Sequence, residues 1–260
     1  MEKYIQLKKF RSLMNLSVSK EDIIRIWGKR YLEKIETKMS KKLPNRNRNK
    51  FVDKKLDTVK QNISSLQALN LVKFIAVTGS VGAGFAKEED DIDVYVVVRN
   101  NSMWLYRGVV SIKNLFHNKI RAKRHRVSKD KICLNFVSEE RGLHLEDDIF
   151  NFHELMYMKP IYNNDYLHSI YFENKWLIHK YGVRKELLKT DIEPQKSLNL
   201  ILLILDKLFY FSQLLFMVLS HHRPEIRRLE TNSKIGKIEF FPKDFKAKKI
   251  EEYSDTFKLI

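Results

Sequence analysis

Residues 77–98, VTGSVGAGFAKEEDDIDVYVVV, decide the fold of this chain of 260 residues. The runs from Leu71 to Thr78 and from Ile92 to Val98 are short and rich in apolar and β-branched residues, which favours two buried strands. Between them, Gly79 to Gly84 predicts a sharp turn with no helix directly after it, because glycine accepts backbone conformations that other residues avoid. Residues 87–91 are acidic and predict an exposed loop.

Two aspartates begin the second strand. Side chains two residues apart on a strand project to the same face, so Asp91 and Asp93 point together while Ile92 enters the core. Paired carboxylates suit a hard divalent cation that also contacts phosphate oxygens. The Gly79-Ser80 turn is expected to face them from the neighbouring strand, where glycine permits close backbone approach and serine offers a hydroxyl donor.

This arrangement resembles the nucleotidyltransferase superfamily of DNA polymerase β. That family's pattern is hydrophobic-Gly-Ser, a spacer of about ten residues, then Asp-x-Asp. The resemblance implies a mixed β-sheet with helices, Mg²⁺ or Mn²⁺, and transfer of a nucleoside monophosphate from an NTP to a hydroxyl acceptor. It assigns Gly79 and Ser80 to the triphosphate, and Asp91 and Asp93 to the metals and catalysis.

Further blocks resemble a set of bacterial and archaeal nucleotidyltransferase-domain proteins, and they extend the resemblance to about residues 50–258 as one co-folding unit. These blocks are Ile132-Cys133-Leu134-Asn135-Phe136, His153-Glu154-Leu155, Glu173-Asn174-Lys175-Trp176 and Phe240-Phe241-Pro242-Lys243-Asp244. The His153-Glu154 pair lacks the second histidine of a zinc protease motif, so we interpret it as part of a helix packed under the active site.

The expected third carboxylate of the family is absent from its strand, predicted over Ile132 to Val137. The central position of that strand is Asn135, which can ligate a metal but cannot act as a general base near neutral pH. Three possibilities remain open. Glu139, Glu140 or Glu154 replaces the carboxylate, the reaction needs less help from a base, or the domain is inactive.

The remaining pattern predicts an α+β fold, a mixed β-sheet with helices followed by a C-terminal helical region. Ser19 is expected to cap a helix through Ile35. The chain is expected to divide into three segments, namely a basic helical extension (1–48), the nucleotidyltransferase core (49–146) and the helical region (147–260). Further helices are predicted over Phe51 to Leu69, Trp104 to Phe116, Asp147 to Met158, Asp165 to His179, Leu198 to Ser220 and from Phe245 onward.

The stretch from Leu198 to Leu219 is apolar enough to suggest a membrane span. Asp206, Lys207 and Gln213 lie near its middle, and each charge at a bilayer centre costs about 2.5–3.5 kcal/mol. We therefore predict a buried helix and no membrane partner. The one cysteine, Cys133, excludes an intramolecular disulfide and a four-cysteine zinc site; it is expected to be inert in a buried strand, and the cytoplasm is the expected compartment.

The net charge of +17 is concentrated in two basic blocks. Residues 1–60 hold 18 Lys plus Arg against 7 Asp plus Glu, and residues 107–131 hold 9 against 1. The blocks predict an RNA partner, and Arg121 to Arg126 is expected to contact triphosphate, RNA or solvent. The alternative function is a catalytically weakened domain that binds RNA or nucleotide, or that acts as a partner or antitoxin of another protein.

Overall fold

A five-stranded sheet forms the centre of the protein in the computed structural model, which describes residues 1–117, 129–188, 200–219, 230–231, 233–239 and 243–258. The strand order is β4-β1-β2-β3-β5. The strands are β1 Val72–Val77, β2 Ile92–Val98, β3 Ile132–Glu139, β4 Lys159–Tyr162 and β5 Lys237–Glu239. β2 and β3 are parallel, whereas the other pairs are antiparallel, so the sheet is mixed as the sequence predicts.

Both faces of the sheet are covered. Phe74, Tyr95 and Val97 belong to one core, which also contains residues of the N-terminal helices and of the helices after residue 148. Ile75 and Val96 belong to the second core, on the other face, with the helices around residues 52–66 and 103–110. Burial on both faces explains why β1 and β2 are almost continuously apolar rather than alternating.

The N-terminal quarter is helical, with α1 Glu2–Ser12, α2 Lys20–Trp27, α3 Lys29–Met39, α4 Lys50–Gln61 and α5 Ile63–Leu66. Ser19 caps α2 with Asp22 in a reciprocal capping box, which confirms the predicted helix start. The continuous helix predicted through Ile35 is wrong, because Gly28 separates α2 from α3 at a φ of 91° that an α-helix cannot accommodate.

The remaining helices are α6 Gly79–Ala83, α7 Met103–His117, α8 Ile149–Tyr157, α9 Tyr166–Glu173, α10 Trp176–His179, α11 Leu200–Leu219 and α12 Lys243–Lys258. Their positions agree with the predicted helices after residue 100, although Asn174 and Lys175 interrupt the one predicted over Asp165 to His179.

Strands β4 and β5 were missed by the sequence analysis, which assigned their region to helices. β4 pairs with β1 and β5 with β3, so the chain after residue 147 completes both edges of the sheet. Pro160 is compatible with β4 because an edge strand needs only half of its backbone donors. The division into segments 1–48, 49–146 and 147–260 stays a prediction.

Helix α11 is not the buried helix that its composition predicts. Leu202, Phe209 and Tyr210 pack against the second core, and the carboxylate of Asp206 accepts hydrogen bonds from the backbone N–H groups of Trp104 and Leu105. Ten of its other apolar side chains are 38–69% exposed, namely Leu200, Ile201, Ile204, Leu205, Leu208, Phe211, Leu215, Phe216, Val218 and Leu219. In the part of the chain that the structure describes, no helix has the length and apolar content needed to cross a membrane.

Candidate functional site

Gly79 lies directly after β1, where its backbone meets the side chain of Asp93. The backbone N–H of Thr78 donates to the carbonyl of Asp93 at 2.9 Å, which joins the end of β1 to β2. A Cβ on Gly79 would lie 3.1 Å from Cγ of Asp93 and would clash with Oδ2. Gly79 also has a φ of 59°, so glycine is required both by backbone conformation and by the neighbouring carboxylate.

The glycine-rich segment forms the short helix α6, contrary to the predicted turn without a helix. Gly82 permits this helix to pack closely, because a Cβ there would lie 2.9 Å from the carbonyl oxygen of Val77 and 3.2 Å from that of Tyr157. Gly84 ends the helix in a left-handed conformation. The glycines therefore serve close approach at the start of α6 and reversal at its end.

The hydroxyl of Ser80 donates to Oδ2 of Asp90 at 2.8 Å, and the backbone N–H of Lys87 donates to the same oxygen. Asp90 thus closes the loop between α6 and β2. Lys55 of α4 also holds this loop in place. The Lys55 side chain is 1% exposed, and its ammonium group donates to the carbonyls of Glu88 and Asp90 and to the carboxylate of Asp130.

Asp91, Asp93 and Cys133 form one cluster at the start of β2 and β3. One ligand atom from each residue lies within 4.8 Å of the other two, and all three residues are half-buried. Parallel pairing places Cys133 opposite Asp93, and the register then shifts so that Tyr95 pairs with Phe136. Cys133 is half-buried and not buried as expected, and it lies beside both aspartates, while its inertness stays a prediction.

The donor set fits a divalent cation. Carboxylate oxygens are ligands for Mg²⁺ and Mn²⁺, and a thiolate adds a ligand for softer ions. Gly79 and Ser80 lie at the same end of the central strands. The structure thus brings together all four residues that the sequence selects and adds Cys133 to them.

Residues 56–154 match the family model described as a nucleotidyltransferase domain. The chain carries a nucleotidyltransferase domain. Comparisons with curated proteins and with solved structures find no match. The matched segment begins in α4, contains β1, β2 and β3, and ends in α8.

The three glutamates considered as substitutes for the third carboxylate lie at different ends of this nucleotidyltransferase domain. Glu139 ends β3 and pairs with Arg141, and Glu140 follows it near Lys73. Glu139 lies six positions after Cys133 along β3, a distance of about 20 Å. Glu154 of α8 lies at the aspartate end, where its Oε2 accepts a hydrogen bond from the backbone N–H of Gly79 at 3.1 Å.

The Glu154 carboxylate is part of a chain of contacts that runs to the N-terminal helix. Oε1 of Glu154 lies 3.6 Å from Nδ1 of His153, and Nε2 of His153 lies 3.2 Å from Nη1 of Arg11. Because guanidinium nitrogens only donate, Nε2 is the acceptor and Nδ1 holds the ring proton. Burial lowers the pKa of His153, which favours the neutral ring in this arrangement.

Arg11 is held from a second side. Its guanidinium lies 4.0 Å from the ring centroid of Tyr157, and Nη2 lies 3.5 Å from the carbonyl of Ala83 at the end of α6. Segment 1–48 therefore contacts the nucleotidyltransferase domain directly behind the Gly79 loop. The sequence could not reveal this contact, since Arg11 and His153 are 142 residues apart.

Several sequence predictions lie outside the described residues. They include the basic run from Arg121 to Arg126, most of the second basic block beyond His117, and Phe240-Phe241-Pro242. For Asn135, the structure gives a backbone position in β3 within the register shift between Cys133 and Phe136.

Proposed function

We propose that the protein is a metal-dependent nucleotidyltransferase that moves a nucleoside monophosphate from an NTP to a hydroxyl acceptor on RNA, a protein or a small molecule. The observation that carries the proposal is the contact between Gly79 and Asp93, which puts the glycine-rich segment against the carboxylate pair. The match of residues 56–154 to the nucleotidyltransferase domain supports the same reaction class.

In this proposal Asp91 and Asp93 hold Mg²⁺ or Mn²⁺, and Gly79 and Ser80 hold the triphosphate. A divalent ion bound there supplies positive charge that neutralises the phosphates. The acceptor oxygen bonds to the α-phosphorus, the bond to the β-phosphate bridging oxygen breaks, and pyrophosphate leaves. Such transfer depends mainly on positioning and charge stabilisation.

Both groups proposed to donate hydrogen bonds to phosphate already donate to carboxylates. The Gly79 N–H donates to Glu154, and the Ser80 hydroxyl donates to Asp90. A phosphate oxygen that takes the Gly79 N–H must displace Glu154, because one N–H makes one strong hydrogen bond. Of Glu139, Glu140 and Glu154, Glu154 is the one placed at this end of the sheet. In the proposal it is the carboxylate that accepts the proton of the attacking hydroxyl once released from Gly79.

The alternative function is a domain that binds RNA or nucleotide without transfer, or that acts as a partner or antitoxin. Cys133, and not a carboxylate, lies opposite Asp93, which favours this alternative if no other base serves. Residues 1–60 and 107–131 are the proposed RNA contacts. Placement in the cytoplasm stays a prediction from the composition.

The test is pyrophosphate release from each of the four NTPs with Mg²⁺ or Mn²⁺ and total cellular RNA. Wild type is compared with Asp91→Ala/Asp93→Ala and with Asp53→Ala/Asp57→Ala, a control that removes two acidic side chains of α4 that are paired with Arg48 and Lys60. Release that is lost only in the first double variant supports transfer. Release from Asp91→Ala/Asp93→Ala that equals release from the control variant contradicts the proposed transfer.

If wild type releases no pyrophosphate, calorimetric titration with NTP and metal distinguishes the two functions. Nucleotide binding that requires Asp91 and Asp93 favours the binding module. A steep fall of RNA affinity with salt, without pyrophosphate release, favours RNA binding through the basic blocks.

A further inference from the structure

The family pattern places a third carboxylate beside the aspartate pair, but this chain places a thiol there. β2 and β3 are parallel, and residues paired across parallel strands share a face of the sheet. Cys133 is the direct partner of Asp93. The hydrophobic-x-hydrophobic pattern of the strand selects Asn135, whereas the strand pairing puts Cys133 opposite Asp93.

The three ligand atoms are close enough for one ion. They lie within 4.8 Å of one another. Around a tetrahedral Zn²⁺, with bonds of about 2.0–2.3 Å, ligand atoms are separated by roughly 3.3–3.8 Å. Rotation about the side-chain bonds of Asp and Cys covers this difference. All three residues are half-buried, so none of them is enclosed in the core.

We propose that Cys133 is a metal ligand, and that the Asp91–Asp93–Cys133 centre binds thiophilic divalent ions such as Zn²⁺ in preference to Mg²⁺. Sulfur ligands select Zn²⁺ and its spectroscopic substitutes Co²⁺ and Cd²⁺, whereas Mg²⁺ requires oxygen ligands in octahedral geometry. The inference shares Asp91 and Asp93 with the proposed function but does not depend on transfer occurring.

The composition makes the test unambiguous, because Cys133 is the only cysteine of the chain. Any absorption band from a thiolate–metal bond therefore reports this residue. The full-length protein, stripped of metal by a chelator and returned to metal-free buffer, is titrated with Co²⁺ and with Cd²⁺. Thiolate-to-metal charge-transfer absorption is measured in the near ultraviolet.

The expected result is a saturable band in wild type that is lost in Cys133→Ser and in Asp91→Asn/Asp93→Asn. Zn²⁺ should abolish the Co²⁺ band, and Mg²⁺ should leave it in place even at about a thousandfold excess. Cys133→Asp is the matched control. It provides three carboxylates, and Mg²⁺ should then measurably displace Mn²⁺ bound to this variant.

A second measurement does not depend on variants that fold. Alkylation of Cys133 in wild type by a small thiol reagent should be slowed at least roughly tenfold by Zn²⁺ and little by Mg²⁺. The proposal is overturned if wild type shows no thiolate band with Co²⁺ or Cd²⁺, if the band survives Asp91→Asn/Asp93→Asn, or if Zn²⁺ leaves the alkylation rate unchanged.

These outcomes separate the inference from the proposed function. A thiolate band without pyrophosphate release supports the soft-metal centre and contradicts transfer under the conditions used. Pyrophosphate release with Mg²⁺, without a thiolate band, supports transfer and removes Cys133 from the metal ligands.

Discussion

At the scale of single residues, Gly79 is constrained twice, by its φ of 59° and by the carboxylate of Asp93. Gly84 is constrained once, since its φ is 90° but nothing lies within 4 Å of a Cβ placed on it. The two glycines therefore separate backbone strain from loss of space at the candidate site.

We expect Gly79→Ala to lower both the free energy of unfolding and metal affinity, and Gly84→Ala to lower only the former. A left-handed alanine costs about 1–2 kcal/mol at either position. At Gly79 the added methyl must also displace Asp93. Denaturant unfolding and calorimetric titration with Mn²⁺ measure the two effects, and equal Mn²⁺ affinity in both variants would contradict the argument.

At the scale of elements, two buried polar contacts join helices to the sheet and its loops. Lys55 of α4 holds the loop that leads into Asp91 through the carbonyls of Glu88 and Asp90. Asp206 of α11 accepts from two N–H groups in the first turn of α7. The Asp206 contact satisfies two N–H groups that have no partner within their own helix, and the Lys55 contact ties the loop to α4.

The neighbouring lysines Lys54 and Lys55 both contact Asp130, but only Lys55 is buried. We expect Lys55→Met to lower the free energy of unfolding by about 2–4 kcal/mol, because it removes the hydrogen bonds of a buried ammonium group to the carbonyls of Glu88 and Asp90 and to the carboxylate of Asp130. Lys54→Met removes an exposed ion pair and should cost less than about 1 kcal/mol. Lys55→Met should also weaken Mn²⁺ binding, since the loop before Asp91 loses its anchor. Unfolding and titration of both variants provide the measurement, and equal losses would show that burial of Lys55 is unimportant.

Two substitutions of Asp206 should change the free energy of unfolding in opposite directions. Asp206→Ala leaves the Trp104 and Leu105 N–H groups without this acceptor and should cost about 1–3 kcal/mol of unfolding free energy. Asp206→Asn keeps an acceptor without burying a charge. Burial raises the pKa of Asp206 to about 6, above its ordinary value. The folded protein therefore binds this proton at a higher pH than the unfolded chain does. Through Asp206, the free energy of unfolding rises as pH falls from about 7 to about 4.

Asp206→Asn removes that contribution. The difference in unfolding free energy between the Asp206→Asn variant and wild type should accordingly favour the variant most near pH 7 and shrink towards about pH 4. Thermal or denaturant unfolding at several pH values measures it. A difference that does not change with pH would contradict the raised pKa.

At the scale of the whole molecule, the site is supported by chain segments far apart in sequence. α1 reaches the Gly79 loop through Arg11, His153 and Glu154. β4 and β5, both after residue 147, complete the edges of the sheet. The matched domain of residues 56–154 therefore folds against segments from both sides of the match.

The buried His153 should make stability depend on pH. Its pKa is lowered by burial, so below about pH 6.5 the unfolded chain binds a proton that the folded protein does not. The contribution of His153 to the free energy of unfolding is thus fully present above the unfolded pKa of about 6.5 and declines as pH falls below it towards the lowered folded pKa. His153→Gln should flatten this part of the pH profile, and exposed His179→Gln is the control. An unchanged slope in His153→Gln would contradict the assignment.

The sequence predicted the two central strands and the common face of Asp91 and Asp93, and the structure agrees with both. It did not predict α6, because five residues are too few to show helical periodicity. It also missed β4 and β5, of four and three residues, since edge strands this short carry little alternation. α11 was predicted as buried from composition, which does not report which side of a helix has neighbours.

The sequence by itself determined what depends on local covalent geometry. Alternation along one strand puts Asp91 and Asp93 on one face, and the lack of a Cβ suits Gly79 to a tight approach. Only the tertiary structure decided that Cys133 lies opposite Asp93 and that Glu154 accepts from the Gly79 N–H. Register between strands and contacts between helix and loop are set by packing among residues distant in sequence, and a one-residue shift changes the neighbour without changing the local pattern.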